Sequence, residues 1–344
     1  MLACILPLIH PEHRSVQNYT KIEQCLLWTL QNLLEHRTSI MVVVVGHRPP
    51  TWIHTFQKQV HFIQVEAHLF QLLKDLDDGT CTIEDAPPRF LPYLISSGMF
   101  HNKDKGLKYF IGLLYLTLLP KKQQPEFVGI LDADDFIHRD IGRQLRKAPR
   151  HMNMFVIQQG YLMMCAPSTT ALQLHITGLY PLRDFSHICG TNRFFRFRPL
   201  CDLLWRRLRP DIPHHPSQLL RTQRRVGDAC IRAILLNIQR KPDAWTVLPK
   251  FLGLHRIVDT DGDSPPHPFA AKFNMWILPG RNAVKFVHDQ NHSCEQNAGE
   301  LQQSLVERYM EEGIIPSDPP STESLLNSLK RDFRLRAILI QNVS

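Results

Sequence analysis

Short apolar runs and longer amphipathic stretches follow one another along the first half of the chain. Leu2 to Leu6 is an apolar run stopped by Pro7 and reads as a first buried strand. From Lys21 to Arg37 the apolar residues Ile22, Leu26, Leu30, Leu33 and Leu34 recur at the spacing of one helix face. Thr20 and Glu23 stand where a capping box would open that helix. Ser39 to Val45 (SIMVVVV) is β-branched and apolar, as a parallel strand buried on both faces requires. Val60 to Val65 reads as a weaker third strand. Residues 66–100 carry turn signals, Asp77-Asp78-Gly79 and Pro87-Pro88, and read as an excursion with little regular structure. Lys105 to Leu119 predicts a helix, and Phe127 to Leu131 (FVGIL) a fourth strand that runs into Asp132-Ala133-Asp134-Asp135.

The second half is more mixed. Phe155 to Met164 and Arg193 to Phe197 predict strands, Gly227 to Ile238 a helix, and Trp245 to Leu248 a short strand ahead of Gly253-Leu254-His255. Beyond about residue 297 the pattern turns polar and helical, broken by Pro316, Pro319 and Pro320, and ends in an amphipathic segment from Ser321 to Ile340. Alternating strands and helices imply an α/β fold: a mostly parallel central sheet flanked by helices, with a helical C-terminal appendage. The division expected is a catalytic domain over residues 1–296 and a helical extension over 297–344.

Composition refines this picture. Hydrophobic residues make up 43% of the 344 and charged residues 21%, which excludes wholesale disorder. The net charge of +8 suits a phosphorylated ligand, nucleic acid or an anionic surface. Much of the excess lies between Arg193 and Arg225. Eight cysteines include no C-x-x-C pair, which argues against a zinc ribbon and for reduced, buried thiols. The first ten residues lack a basic signal-peptide head, and no apolar run approaches the ~20 residues of a membrane span. The expected location is therefore cytoplasmic, with peripheral membrane contact through the C-terminal helix as an addition.

The chemistry concentrates in the acidic cluster. In an open parallel sheet, ligands bind beyond the carboxyl ends of the strands, where FVGIL delivers Asp132 and Asp134. Two carboxylates there suit a hard divalent cation, Mn²⁺ or Mg²⁺, which takes oxygen ligands and keeps positions for substrate phosphates. A cation on a nucleotide diphosphate offsets the charge that grows on a departing leaving group.

A buried strand ending at a proline, followed further on by strand-DADD, resembles the GT-A glycosyltransferases, notably glycosyltransferase family 2, over roughly residues 1–295. The resemblance implies a nucleotide-sugar donor, with a UDP- or GDP-sugar expected, and a metal held by Asp132, Asp134 and His255 of Gly253-Leu254-His255-Arg256. His288 and His292 compete with His255 for that role. Pro7, Lys105, Lys108, Asp132 and Gly190 are the implied donor contacts. Lys105 and Lys108 belong to a helix start whose free N–H groups favour phosphate or sugar hydroxyls. Gly190 of Cys189-Gly190-Thr191 would admit a sugar close to the backbone, with Phe185 and His187 lining an acceptor. Asp228 matches the position of the catalytic base, although Gly227 stands where the family places a preceding acid.

Other readings remain beside this one. The same carboxylates would serve a metal-dependent nucleotide-sugar hydrolase or a nucleotidyltransferase, although no Gly-rich, Lys-bearing nucleotidyltransferase loop opens the chain. Arginines interleaved with Phe194, Phe195 and Phe197 would suit a basic nucleic-acid-binding protein, yet no nucleic-acid motif is present and none is expected to bind. An inactive glycosyltransferase-like binding protein is a further alternative. Asp259-x-Asp261-Gly262-Asp263 resembles the front of a calcium loop, but Ala270 stands where the closing Glu is needed, so it reads as a turn. No P-loop, G-x-S-x-G or H-E-x-x-H is present.

Overall fold

The structure is a computed structural model, and it describes residues 1–8, 19–35, 39–64, 103–166, 175–185, 193–208, 274–287 and 298–333. In chain order its elements are β1 (Leu2–Pro7), α1 (Tyr19–Leu34), β2 (Ile40–Gly46), β3 (Val60–Gln64), α2 (Lys103–Leu118), β4 (Phe127–Ile130) and β5 (Asp135–Ile137). They continue with α3 (Ile141–Lys147), β6 (Met154–Ala166), β7 (His175–Leu182), β8 (Arg193–Arg196), α4 (Phe197–Leu208), β9 (Met275–Val287), α5 (Ala298–Glu311) and α6 (Thr322–Asp332). The α/β class expected from the sequence stands. Each strand foreseen within the described residues is present, shifted by a residue or two. The capping box is a correction: α1 already begins at Tyr19, so Thr20 lies inside its first turn and is not the cap. The excursion read over 66–100, the helix over 227–238 and the strand over 245–248 lie outside the described residues.

The chain forms two compact units from interleaved segments. The first comprises Met1–His10, Met41–Leu131 and Arg193–Asn274; the second comprises Pro11–Ile40, Asp132–Asn192 and Met275–Ser344.

In the first unit the strand order is β3-β2-β1-β4-β8. β2 runs parallel to β3 and β1 parallel to β4, whereas β8 is antiparallel to β4. All six residues of β1 and all four of β4 are buried, which explains their unbroken apolar sequence. Helix α2 packs on β1 at Gly112, where an added Cβ would stand 2.5 Å from Ile5 Cγ2. Two polar side chains of α2 reach past the strands. The buried Tyr109 hydroxyl donates to Leu131 O at 3.0 Å, and the buried Lys108 ammonium donates to Leu8 O at 2.5 Å. The carbonyls just beyond β4 and β1 are thereby satisfied without secondary structure.

In the second unit β7, β6, β9 and β5 follow one another. β6 and β9 pair in parallel over most of their length, and the outer pairs β6/β7 and β5/β9 are antiparallel. One face carries Phe136, Tyr161, Met163, Cys165, Val284 and Phe286. Onto them pack Cys25 and Trp28 from α1 and Leu325, Leu326, Leu329 and Phe333 from α6. Phe136 and Phe286 meet edge to face at 4.2 Å. Helix α6 starts where the sequence places it, with Ser321 Oγ accepting from the Ser324 amide. It therefore contributes to a core, and α6 with Phe333 is part of this unit's packing. Among the described residues no helix is long and apolar enough to cross a membrane.

Candidate functional site

Strand β4 ends at Ile130, and the Leu131 amide still donates to Ile5 O at 3.2 Å before the chain turns. The turn is Asp132 to Asp135, with the Asp135 amide 3.4 Å from Asp132 O. Asp135 then opens β5, which pairs antiparallel with β9 in the register Asp135 to Lys285, Phe136 to Val284 and Ile137 to Ala283. Alternation along both strands sends Phe136, Val284 and Phe286 into the apolar core and puts Asp135 and Lys285 together on the other face.

The result is a compact charged group within the second unit. Ligand oxygens of Asp132, Asp134 and Asp135 all lie within 4.8 Å of one another. Lys285 Nζ stands 3.2 Å from Asp132 Oδ2, 3.5 Å from Asp134 Oδ1 and 3.2 Å from Asp135 Oδ1. Asp135 is fully buried, while Asp132, Asp134 and Lys285 are only 15%, 20% and 13% exposed. Three like charges this close repel, and a low-dielectric setting sharpens that repulsion. The ammonium offsets one of the three.

Helix α1 fixes the turn and the strand from behind. Thr29 Oγ1 donates to Ala133 O at 3.0 Å, the carbonyl between the two aspartates of the Asp-x-Asp pair. Asn32 accepts from the Ile137 amide at 2.9 Å and donates to Phe333 O at 2.8 Å, so one buried amide joins β5 to the end of α6. At the far end of β5, the His138 amide donates to Asn282 O at 2.9 Å. The Asn282 side chain in turn donates to Pro279 O and Gly280 O and accepts from Gln144 at 2.7 Å.

Of the residues singled out from the sequence, Asp132 and Asp134 are thus brought together. Asp135, quoted only as part of the motif, joins them, and Lys285 was not foreseen. Its signal was a lone charge inside the apolar run Ala283-Val284-Lys285-Phe286-Val287, where a buried ammonium requires carboxylate partners. Pro7 is buried at the end of β1. Lys105 lies in the first turns of α2, which begins at Lys103. Lys108 is buried and committed to Leu8 O, so its ammonium holds the β1 exit. Phe185 is fully buried against Gly160, whose missing Cβ leaves the room its ring occupies. Gly190, His187, Asp228, His255, His288 and His292 lie outside the described residues.

As to chemistry, three clustered carboxylates are an oxygen donor set of the kind hard divalent cations take. The residues present fit such an ion in kind and spacing, and they also hold an ammonium.

No protein-family model matches the chain, and no curated protein sequence matches it. Among solved structures it is similar to S. aureus TarS residues 1–349, with 9% identity and a TM-score of 0.35, covering 83% of this chain and 60% of that one. The same fragment in complex with UDP gives 11% identity and 0.35, over 90% of this chain and 72% of that one. The galactosyltransferase LgtC, in complex with donor and acceptor sugar analogs, gives 9% identity and a TM-score of 0.26, over 68% and 70%. The chain spans about three fifths of the first TarS fragment's length.

Proposed function

We propose that this chain is a glycosyltransferase that moves a sugar from a nucleoside-diphosphate donor to an acceptor hydroxyl. The observation that carries the reading is the convergence of Asp132, Asp134 and Asp135 immediately after a buried strand. A carboxylate group at that place serves a donor whose diphosphate must be held and whose leaving charge must be offset. Asp132 and Asp134 would hold a divalent cation, Mn²⁺ or Mg²⁺, with His255 as the proposed third ligand. When bound, such an ion supplies Lewis-acid stabilisation of the departing diphosphate.

The chain's own groups have separate tasks in this reading. Thr29 and Asn32 hold the turn and β5, so that the backbone carrying the carboxylates is fixed in place. Pro7, Lys105, Lys108 and Gly190 are proposed for the donor side, Lys108 by fixing the backbone after β1. In an inverting transfer the bond from the anomeric carbon to the diphosphate oxygen breaks as the acceptor oxygen bonds to that carbon. Asp228 then takes the acceptor's proton. Residues 1–296 carry this chemistry, and 297–344 brace it through α6.

A thermal-shift screen of UDP- and GDP-sugars, with and without Mn²⁺, tests the proposal on wild type and Asp134→Ala. One donor should raise the melting temperature by about 3 °C or more at roughly a hundred times its Kd, only with metal and only in wild type. No shift with any nucleotide on folded protein would reduce the cluster to a structural turn. Product analysis with the hit separates transfer (a glycoside) from hydrolysis (free sugar) and from nucleotidyl transfer (pyrophosphate).

A further inference from the structure

The acidic cluster already contains a cation that belongs to the protein. Lys285 Nζ lies within 3.5 Å of an oxygen from each of the three aspartates. It arrives there through strand register, opposite Asp135 in the β5/β9 ladder, and not as a surface side chain free to swing in. The neighbours of Lys285 on β9, Val284 and Phe286, are buried in the core on the other face, so the lysine's backbone is fixed. We infer that Lys285 is the resident counter-cation of this cluster and that a divalent ion enters only by taking the carboxylates from it. The inference rests on the reading that the cluster takes such an ion.

The physical argument is competition for the same oxygens. A small divalent ion must approach carboxylate oxygens to about 2.0–2.2 Å, and it excludes an ammonium from the same oxygens. The cluster with its lysine carries three negative charges and one positive. The ammonium therefore holds the aspartates in place before metal arrives and weakens the ion's binding, in place of a preformed empty cage. Lysine suits this role as a compact point charge: it donates to Asp132 Oδ2 at 3.2 Å and faces the other two carboxylates as an ion pair.

The test is Mn²⁺ binding to the full chain, read from the electron paramagnetic resonance of free Mn²⁺, in wild type, Lys285→Arg and Lys285→Met. Removing the charge while keeping the stem should tighten Mn²⁺ binding roughly tenfold or more, about 1.4 kcal/mol. Lys285→Arg should stay near wild type. Melting of Lys285→Met should be lower than wild type in EDTA and restored by saturating Mn²⁺, a gain that loss of packing alone would not give. Lys285→Met binding that is unchanged or weaker, beside measurable wild-type binding, would overturn the inference and leave the metal reading intact. Absence of Mn²⁺ binding from every variant would overturn both. Binding by Lys285→Met alone would support Lys285 as the resident counter-cation and overturn the metal reading for wild type. If Lys285→Met does not fold, the double variant Lys285→Met/Asp135→Asn keeps the wild-type net charge of the cluster. It should still bind Mn²⁺ more tightly than wild type, and equal or weaker binding would sink the idea.

Discussion

The residues of the site divide by how far apart in the chain their partners lie. Asp132 and Asp134 were legible because they are near neighbours behind an apolar run, so one stretch of sequence contains the whole pattern. Lys285 was not, because its meaning depends on a pairing across 150 positions that only the β5/β9 register reveals. Asn32 is a similar case. On the sequence it is one polar residue on an apolar helix face, yet in the fold its amide serves the buried Ile137 N–H and Phe333 C=O. Asn32→Ala leaves both groups without that partner. It should cost about 2–4 kcal/mol of stability, since each orphaned buried group costs ~1–3 kcal/mol. Urea unfolding of wild type and variant measures this, and a loss under 0.5 kcal/mol, roughly the effect of an ordinary surface change, would mean water replaces the amide. Burial also acts on the thiols. It pushes Cys201 up to about 12 and Cys4 higher still, so neither is a nucleophile at neutral pH.

At the scale of elements, long uniform patterns were read correctly and interrupted ones were missed. β9 contains Pro279-Gly280, which reads as a turn, yet the strand continues through it. Gly280 adopts φ +81°, a conformation that favours glycine, and the β6/β9 register shifts beside it between Ile157 and Gly160. β7 was hidden in the same way by Gly178 and Pro181, and β5 is only three residues long. The join of β5 to α3 brings a titratable group with it. Desolvation lowers the His138 imidazole below its ordinary 6.5, against the pull of Asp332 and Asp140, and Nδ1 accepts from the Asp140 amide at 3.1 Å. The folded state thus prefers neutral His138, and protons bind the unfolded chain more readily. His138 contributes stability that is complete above its unfolded pKa and is lost as pH falls through the lower folded value. Melting temperature should therefore drop between about pH 7.5 and 5, and less steeply in His138→Asn, whose side-chain oxygen can still accept from Asp140. Parallel slopes in the two proteins would show that other groups govern the acid limb.

For the whole molecule, the α/β class followed from alternation alone, but the interleaving of two units did not. Hydrophobic period reports which face of an element is buried and carries no record of which distant segment covers it. The core over Phe136 and Phe286 takes its cover from α1 near the start of the chain and from α6 near its end. Deleting residues 321–344 should therefore uncover Tyr161, Met163 and Phe286 and give an aggregation-prone product. An equally soluble truncated chain that keeps the wild-type melting temperature would contradict this.

That arrangement has a consequence for synthesis on the ribosome. Translation delivers Asp132, Asp134 and Asp135 before their lysine on β9, and the lysine before the helix at Thr322–Asp332 that closes the core behind it. Between Asp135 and Lys285, a stretch of 150 residues in a chain of 344, the nascent chain holds three neighbouring carboxylates whose counter-charge has not yet been made. The second unit, and with it the charged site, is completed only when nearly the last residues have emerged from the exit tunnel.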